Sequence, residues 1–167
     1  MVNSDKIFAL LADEGLPEAD KRDYSLGDLI SLALKHLTAN ENGFLLLVEG
    51  AQIDWAGYDE DADYLLSEMD DFSYALKVAI DFAEKEGNTL VLVTADYETG
   101  GMAITGGSFD GESLKVEFLN SHHTAGFVGV FAYGPGENLF GGIYDNHLIG
   151  RIIFHLMDES YQFSSNR

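Results

Sequence analysis

Two carboxylates of this 167-residue sequence stand at positions typical of a ligand site in an α/β protein. The apolar run 44–48 is followed directly by Glu49, a glycine comes next, and Asp54 lies five residues after Glu49. A short, continuous apolar run bounded by turn residues predicts a strand that is buried on both faces. Carboxylates just beyond the C-terminal end of such a strand lie where open α/β sheets bind their ligands.

A second apolar run, 89–93, repeats this arrangement with Asp96 shortly after its end, and His123 stands shortly before a third run at 126–133. A parallel sheet brings such strand ends to one edge, where their side chains are expected to lie close together. Carboxylate oxygens and imidazole nitrogens are ligands that divalent metals accept. The candidate metal ligands are therefore Glu49, Asp54, Asp96 and His123.

The composition leaves a simpler explanation open. The chain has 29 acidic and 9 basic residues and a formal charge of −20, and acids in the loops of so acidic a protein are usually only solvated. The His122–His123 pair is likewise typical of a surface or packing feature. The charge should repel phosphate backbones, so no nucleic-acid partner is expected. With no cysteine, disulfides and thiolate metal sites are excluded.

Apolar residues at helical spacing predict three helices, after Ser25 to about residue 40, over 62–86 with a break near 70–71, and over 147–157. The apolar runs predict strands at 44–48, 89–93 and 126–133, with a further candidate at 6–12 and a loop at 55–61. Glycines separate two short β-like pieces within 98–120, which predicts a small hairpin or flap. This order predicts an α/β domain with a mostly parallel central sheet flanked by helices.

The length indicates a single domain over residues 1–167. No segment approaches the ~18 apolar residues of a transmembrane span, so no membrane partner is expected. The first residues lack the basic and apolar regions of a secretory signal. The localisation of the protein stays open on these grounds.

Several segments resemble the alkaline phosphatases, in the same order and with similar spacing over roughly residues 24–157. The matching segments read VEGAQID at 48–54, NTLVLVTAD at 88–96, ETGGMAI at 98–104, HTAG at 123–126 and VFAYGPG at 130–136. The resemblance covers only the C-terminal half of the family's fold, so it implies a partial alkaline-phosphatase-like sandwich. Members of this family are usually periplasmic or extracellular.

The resemblance implies a phosphate monoester hydrolase with two zinc ions and one magnesium ion. By position, Glu49 would bind magnesium, Asp54 and His123 the first zinc, and Asp96 the second zinc. Paired metals of this kind clamp the attacking and leaving oxygens and neutralise charge on the phosphoryl group.

Two departures from the family pattern fall on ligand positions. Tyr58 stands where the family usually has a histidine of the first zinc, and Tyr97 stands where it has a histidine of the second. A phenol with a reference pKa of about 10 must lose a proton before it binds a metal, whereas a neutral imidazole does not. Tyrosine suits a harder ion such as ferric iron, which is a further alternative. The nucleophilic serine and the phosphate-binding arginine of the family lie in the half that has no match here.

Three functions follow as expectations. The first is a phosphatase-derived domain that is inactive as an isolated chain, and the second is one half of a split phosphatase, acting on phosphate monoesters only when completed by an N-terminal half. The third is a non-catalytic interaction or structural module that keeps the fold. A missing half would leave an unpaired sheet edge and an apolar patch, so a homo-oligomer or a complementary chain is the expected partner.

Overall fold

The computed structural model describes residues 6–111, 113–158, 160 and 161. Its helices are α1 (Leu26–Leu37), α2 (Gln52–Tyr58), α3 (Ala62–Glu86) and α4 (His147–Met157), with short 3-10 helices at Ala19–Lys21 and Glu137–Phe140. Its strands are β1 (Val91–Thr94), β2 (Glu98–Thr99), β3 (Ala103–Gly106), β4 (Lys115–Glu117), β5 (His123–Thr124) and β6 (Val130–Tyr133).

The three long predicted helices are confirmed as α1, α3 and α4. At the start of α1, Ser25 and Asp28 form a reciprocal capping box, in which each side chain accepts a hydrogen bond from the other residue's backbone N–H. The α3 helix runs through residues 70–71 without the predicted break and ends at Gly87, whose φ of 72° suits a glycine. The predicted loop at 55–61 is wrong in its first half, because α2 continues to Tyr58.

The strands of the described residues pair in three antiparallel ladders, β1 with β6, β2 with β5, and β3 with β4. This pairing differs from the mostly parallel central sheet that the sequence predicted. The hairpin expected within 98–120 is present as the β3–β4 pair. The apolar run 6–12 forms no strand in the structure, and Phe8 and Leu10 on it are exposed.

The segment 44–48 is extended but is assigned to no strand, and only one of its faces is covered. Phe44, Leu46 and Val48 pack on the buried cluster that Ile30 and Leu34 of α1 form with Ala75 of α3. The intervening Leu45 and Leu47 are 60% and 90% exposed. The prediction of a strand buried on both faces is therefore wrong here, because α1 and α3 cover only one face of the segment.

A second cluster supports the β1–β6 pair. Phe140, Leu148 and Ile152 form its buried centre, and Leu92 and Val130 of the two strands are among the side chains that pack against it. The register pairs Val93 with Phe131, whose side chain is 69% exposed. One side of this sheet thus packs on α4, while Phe131 on the other side faces outward.

No helix of the described residues is long and apolar enough to cross a membrane.

Candidate functional site

The α2 helix places Asp54 and Tyr58 on one face, because residues four apart in a helix are neighbours. The helix has no side-chain N-cap and consists of seven residues, so its position depends on tertiary contacts. Gln52 donates from its amide to the carbonyl of Leu16 and accepts a hydrogen bond of 2.6 Å from the Tyr64 hydroxyl. The fully buried Ala56 completes the packed side of α2.

The β2–β5 pair brings His123 to the exposed face of α2. Thr99 on β2 is the register partner of His123 on β5. The Thr99 hydroxyl donates a hydrogen bond of 2.6 Å to Asp54 Oδ1, which ties the strand pair to the helix. His123 Nε2 lies 3.5 Å from the same carboxylate oxygen.

Tyr58 contacts the same imidazole through both its hydroxyl and its ring. Its hydroxyl and His123 Nε2 share a hydrogen bond of 3.0 Å, and the two rings meet edge to face at 5.3 Å. Nε2 is therefore the atom on which Asp54 and Tyr58 converge. Asp54, Tyr58 and His123 together form the 54/58/123 cluster.

Tyr97 lies flat on the same imidazole. The two ring centres are 3.7 Å apart and the planes are inclined by 21°. The pKa of the Tyr97 phenol is raised. Partial desolvation is the largest cause, the negative charges of Asp54 and Asp96 come next, and Tyr58 and Glu49 contribute less. Tyr97 therefore stays protonated near neutral pH and contacts His123 through its ring face.

The structure brings two of the four predicted metal ligands into direct contact. Asp54 and His123 adjoin, as the sequence predicts, but in the described part of the chain no set of three His, Cys, Asp or Glu side chains is arranged to hold a metal ion. Glu49 is an exposed residue that lines a cavity beside α2, and Asp96 is exposed just after β1; the charges of both act on the Tyr97 phenol. Whether these side chains bind metal together stays a prediction.

A buried ionic group that the sequence did not reveal lies behind α2. The Arg22 guanidinium contacts Glu68 Oε2 at 3.2 Å and forms a closer pair with Asp71, and all three side chains are nearly inaccessible to solvent. Glu68 also accepts from the Ala19 amide, and Asp71 accepts from the Leu26 amide. The spacing of the two acids by three residues on α3 is the one signal that places them on a shared face.

This ionic group lines one wall of a cavity of about 210 Å³, and Glu49, Gln52 and Trp55 line it from the side of α2. The arrangement anchors the loop that precedes α1 on α3. This loop contains Leu16, whose carbonyl accepts a hydrogen bond from the Gln52 amide of α2. Hydrogen bonds of Arg22 to the Pro17 carbonyl and of Gln52 to the Leu16 carbonyl thus link the ionic group to α2.

The geometry defines an α/β protein with an Asp–His pair between a short helix and a strand pair. A family model described as alkaline phosphatase matches residues 2–117, which is more than half of the chain. The chain belongs to the alkaline phosphatase family, whose members are generally metal-dependent.

Curated relatives agree with this assignment. The chain is 49% identical over 102 residues to alkaline phosphatase 3 of Bacillus subtilis, a match that covers 59% of this chain and 22% of the relative. It is 32% identical over 145 residues to the alkaline phosphatase of Escherichia coli K12, covering 77% of this chain and 31% of that protein. The chain thus spans less than a third of either relative.

Solved structures agree as well. The alkaline phosphatase from the Antarctic bacterium TAB5 superposes with a TM-score of 0.81 at 39% identity, over 89% of this chain and 45% of that one. A His-to-Glu mutant of the same enzyme, described with magnesium bound in its M3 site, gives the same TM-score at 38% identity, over 89% of this chain and 46% of that one. The predicted alkaline-phosphatase-like α/β class is confirmed, and the matched part is about half of these solved chains.

Proposed function

We propose that the chain is an alkaline-phosphatase-like domain that does not hydrolyse phosphate monoesters by itself. Family membership and the TM-score of 0.81 support the phosphatase origin. The observation that carries the inactivity is the 54/58/123 cluster, because the resemblance places a zinc-binding imidazole where Tyr58 contacts His123 Nε2 at 3.0 Å.

The donor atoms fit zinc poorly. A zinc site needs deprotonated ligands with free lone pairs. Here Tyr58 offers a phenol, which must lose a proton before it binds a metal, and Tyr97 offers a ring face and a phenol whose pKa is raised. Each of the two zinc sites that the resemblance implies would therefore lack one of its usual ligands. Magnesium prefers oxygen ligands, so Glu49 is the residue proposed to hold it.

The missing nucleophile is the second part of the proposal. The matched region covers 22% and 31% of the two curated relatives named above and about half of the solved chains, and none of the resembling segments contains the family's nucleophilic serine. We place that serine in the part of the fold that this chain does not match. Substrates of the family, the phosphate monoesters, would then be used only in a complex that supplies it.

A hydrolysis assay tests this proposal. The purified chain, supplied with zinc and magnesium, should release p-nitrophenol from p-nitrophenyl phosphate no faster than the Asp54→Ala variant. The Tyr58→His, Tyr97→His double variant should gain zinc without gaining activity, because the nucleophile is still absent. Turnover by the unmodified chain that Asp54→Ala abolishes would refute the proposed inactivity.

Exposed apolar side chains favour a second function, as a module that binds a complementary chain. Leu45 and Leu47 form the uncovered face of the segment 44–48, and Phe131 lies on the outer side of the β1–β6 pair. Apolar side chains at unpaired extended segments are typical of interfaces. We propose as the occupant a chain that resembles the unmatched half of the alkaline phosphatases.

Sedimentation is measured for the chain alone and for its mixture with the N-terminal half of alkaline phosphatase 3 of Bacillus subtilis. This measurement distinguishes a mixed complex from self-association. A complex that forms in the mixture and is weakened by Leu47→Lys supports the proposal. Leu32→Lys, at an exposed leucine on the helix α1, is the matched control. Self-association without a mixed complex would indicate a homo-oligomer instead and would overturn the choice of occupant. Ester hydrolysis by the mixed complex would indicate a split phosphatase.

A further inference from the structure

We infer that Asp54, Tyr58 and His123 form a binding site for a hard trivalent cation such as ferric iron. This inference does not rest on the proposed function, since it concerns which ion the cluster accepts and not whether esters are hydrolysed. It starts from the distances between the donor atoms of the cluster and from the two oxygen donors among them.

The distances within the cluster suit the ligands of one ion. Tyr58 Oη lies 3.0 Å from His123 Nε2, and Nε2 lies 3.5 Å from Asp54 Oδ1. Two donors bound to one metal at about 2.0–2.2 Å, in octahedral or tetrahedral geometry, lie roughly 2.8–3.6 Å apart. The donors therefore need only small side-chain movements to share an ion.

The chemistry of the donors selects the kind of ion. Ligand type is one of the main determinants of metal selectivity in proteins, and two of the three donors here are oxygens. A carboxylate and a phenolate are anionic oxygen donors, which hard, highly charged cations prefer to neutral nitrogen. When the ion binds, the Tyr58 hydroxyl proton leaves to solvent, the hydrogen bond to Nε2 is lost, and the oxygen and Nε2 both donate to the metal.

The cluster is preformed and open to solvent. The Thr99 hydroxyl holds Asp54 Oδ1 at 2.6 Å, which fixes the orientation of the carboxylate before any ion arrives. Tyr97 stacks on the His123 ring and limits its rotation. The Tyr58 side chain is 39% exposed, so an ion reaches the donors without unfolding. The charge of −20 raises the local concentration of cations.

Visible absorption tests the inference, because a phenolate bound to ferric iron has a charge-transfer band that zinc and surface-bound iron lack. The chain is incubated with ferric nitrilotriacetate, freed of excess reagent by gel filtration, and measured for absorbance and iron content. We expect a visible band with a stoichiometric amount of iron. Thr99→Val should weaken the affinity for iron by about tenfold, as is typical when a residue that orients a ligand is lost.

Two tyrosine variants form the matched pair. Tyr58→Phe should remove the band, whereas Tyr97→Phe keeps the stacked ring and should retain the band. Both positions are 39% exposed, so the substitutions should leave the fold intact, and circular dichroism checks this. Absence of a band from the unmodified chain, or a band that survives Tyr58→Phe, would overturn the inference. His123→Ala provides a second variant, which should release the iron.

Discussion

At the scale of single residues, Tyr58 and Tyr97 change what His123 is able to do. One tyrosine shares a hydrogen bond with the imidazole and the other covers its ring. The sequence identified both positions as departures from the family pattern, because each falls at a fixed distance from a matching aspartate. It gave no indication that the two tyrosines would meet at the same histidine, since that meeting depends on the β2–β5 pair.

Arg22 is the residue whose role was least visible in the sequence. Its partners Glu68 and Asp71 are 46 and 49 residues away, so no local pattern connects them. Arg22→Met leaves two buried carboxylates without their cation and should lower the free energy of unfolding by about 3–5 kcal/mol. Chemical denaturation measures this loss.

The matched control for Arg22 is Lys77→Met, which removes the exposed ion pair of Lys77 with Asp81. It should leave the denaturation midpoint unchanged, because solvent screens such surface pairs. Equal effects of the two substitutions would contradict the structural role assigned to Arg22.

Tyr64 should make stability dependent on alkaline pH. Burial, followed by the negative charges of Glu68 and Glu18, raises its pKa to about 12 in the folded protein. The unfolded chain has the ordinary pKa of about 10, so the folded state holds the proton more tightly. This contribution to stability is fully present below about pH 10 and is lost as the pH rises toward about 12.

The Tyr64→Phe variant checks this dependence. Its free energy of unfolding should fall less steeply than that of the unmodified chain between neutral pH and about pH 11. Tyr74→Phe, at an exposed position on the same helix α3, should keep the steep fall. Identical slopes for Tyr64→Phe and the unmodified chain would count against the role of the partly buried phenol.

Among the secondary-structure elements, the helices with strong internal periodicity were predicted from the sequence, and the short helix α2 was missed. The helices α1, α3 and α4 carry apolar residues at helical spacing over 11 to 25 residues. The α2 helix has seven residues, includes Gly57 and lacks a side-chain cap. It is held by the contacts of Gln52 with Leu16 and Tyr64, which are tertiary and cannot be derived from local pattern.

The segment 44–48 shows a second limit of periodicity. A continuous apolar run is compatible with burial on one face or on two, and the outcome depends on what covers each face. In the structure, α1 and α3 cover Leu46 but not Leu47. Sequence alone could not distinguish these cases.

Gly134, in the turn after β6, should be the position of the β1–β6 pair that is most sensitive to an added side chain. Gly134 has a φ of 111°, and an added Cβ would press on the carbonyl oxygen of Thr89. Gly134→Ala should therefore destabilise the protein by more than the ~0.5 kcal/mol that bounds most surface substitutions. Thermal melting followed by circular dichroism measures the change.

Gly141→Ala is the control for this turn, because an added Cβ at Gly141 meets no atom within 4 Å and its φ is −77°. Its melting temperature should be unchanged or slightly raised, as the unfolded chain loses entropy. A melting temperature of Gly134→Ala equal to that of Gly141→Ala would show that the turn tolerates a side chain.

At the scale of the whole molecule, charge and exposed apolar surface act in opposite directions. A formal charge of −20 keeps copies of the chain apart, whereas the uncovered Leu47 and Phe131 favour association. The chain matches about half of the solved alkaline phosphatases, and family membership follows from motifs and superposition alike. The proposed complementary chain would cover these apolar surfaces.

Salt should stabilise the folded chain. Repulsion among the carboxylates opposes compact structure, and the screening length falls from about 30 Å at 0.01 M salt to about 10 Å at 0.1 M. The melting temperature should therefore rise with potassium chloride, and most of the rise should be complete by about 0.1 M. A melting temperature that is flat or falls over this range would argue against a dominant role for repulsion.

Zinc content tests the proposal that Tyr58 and Tyr97 keep zinc from the site. After dialysis against zinc and then metal-free buffer, elemental analysis should find no stoichiometric zinc in the unmodified chain. The Tyr58→His, Tyr97→His variant should retain zinc, whereas Tyr74→His, Tyr133→His, at tyrosines of similar exposure, should not. Zinc that stays with the unmodified chain and is lost on Asp54→Ala or His123→Ala would show that the two tyrosines do not exclude it.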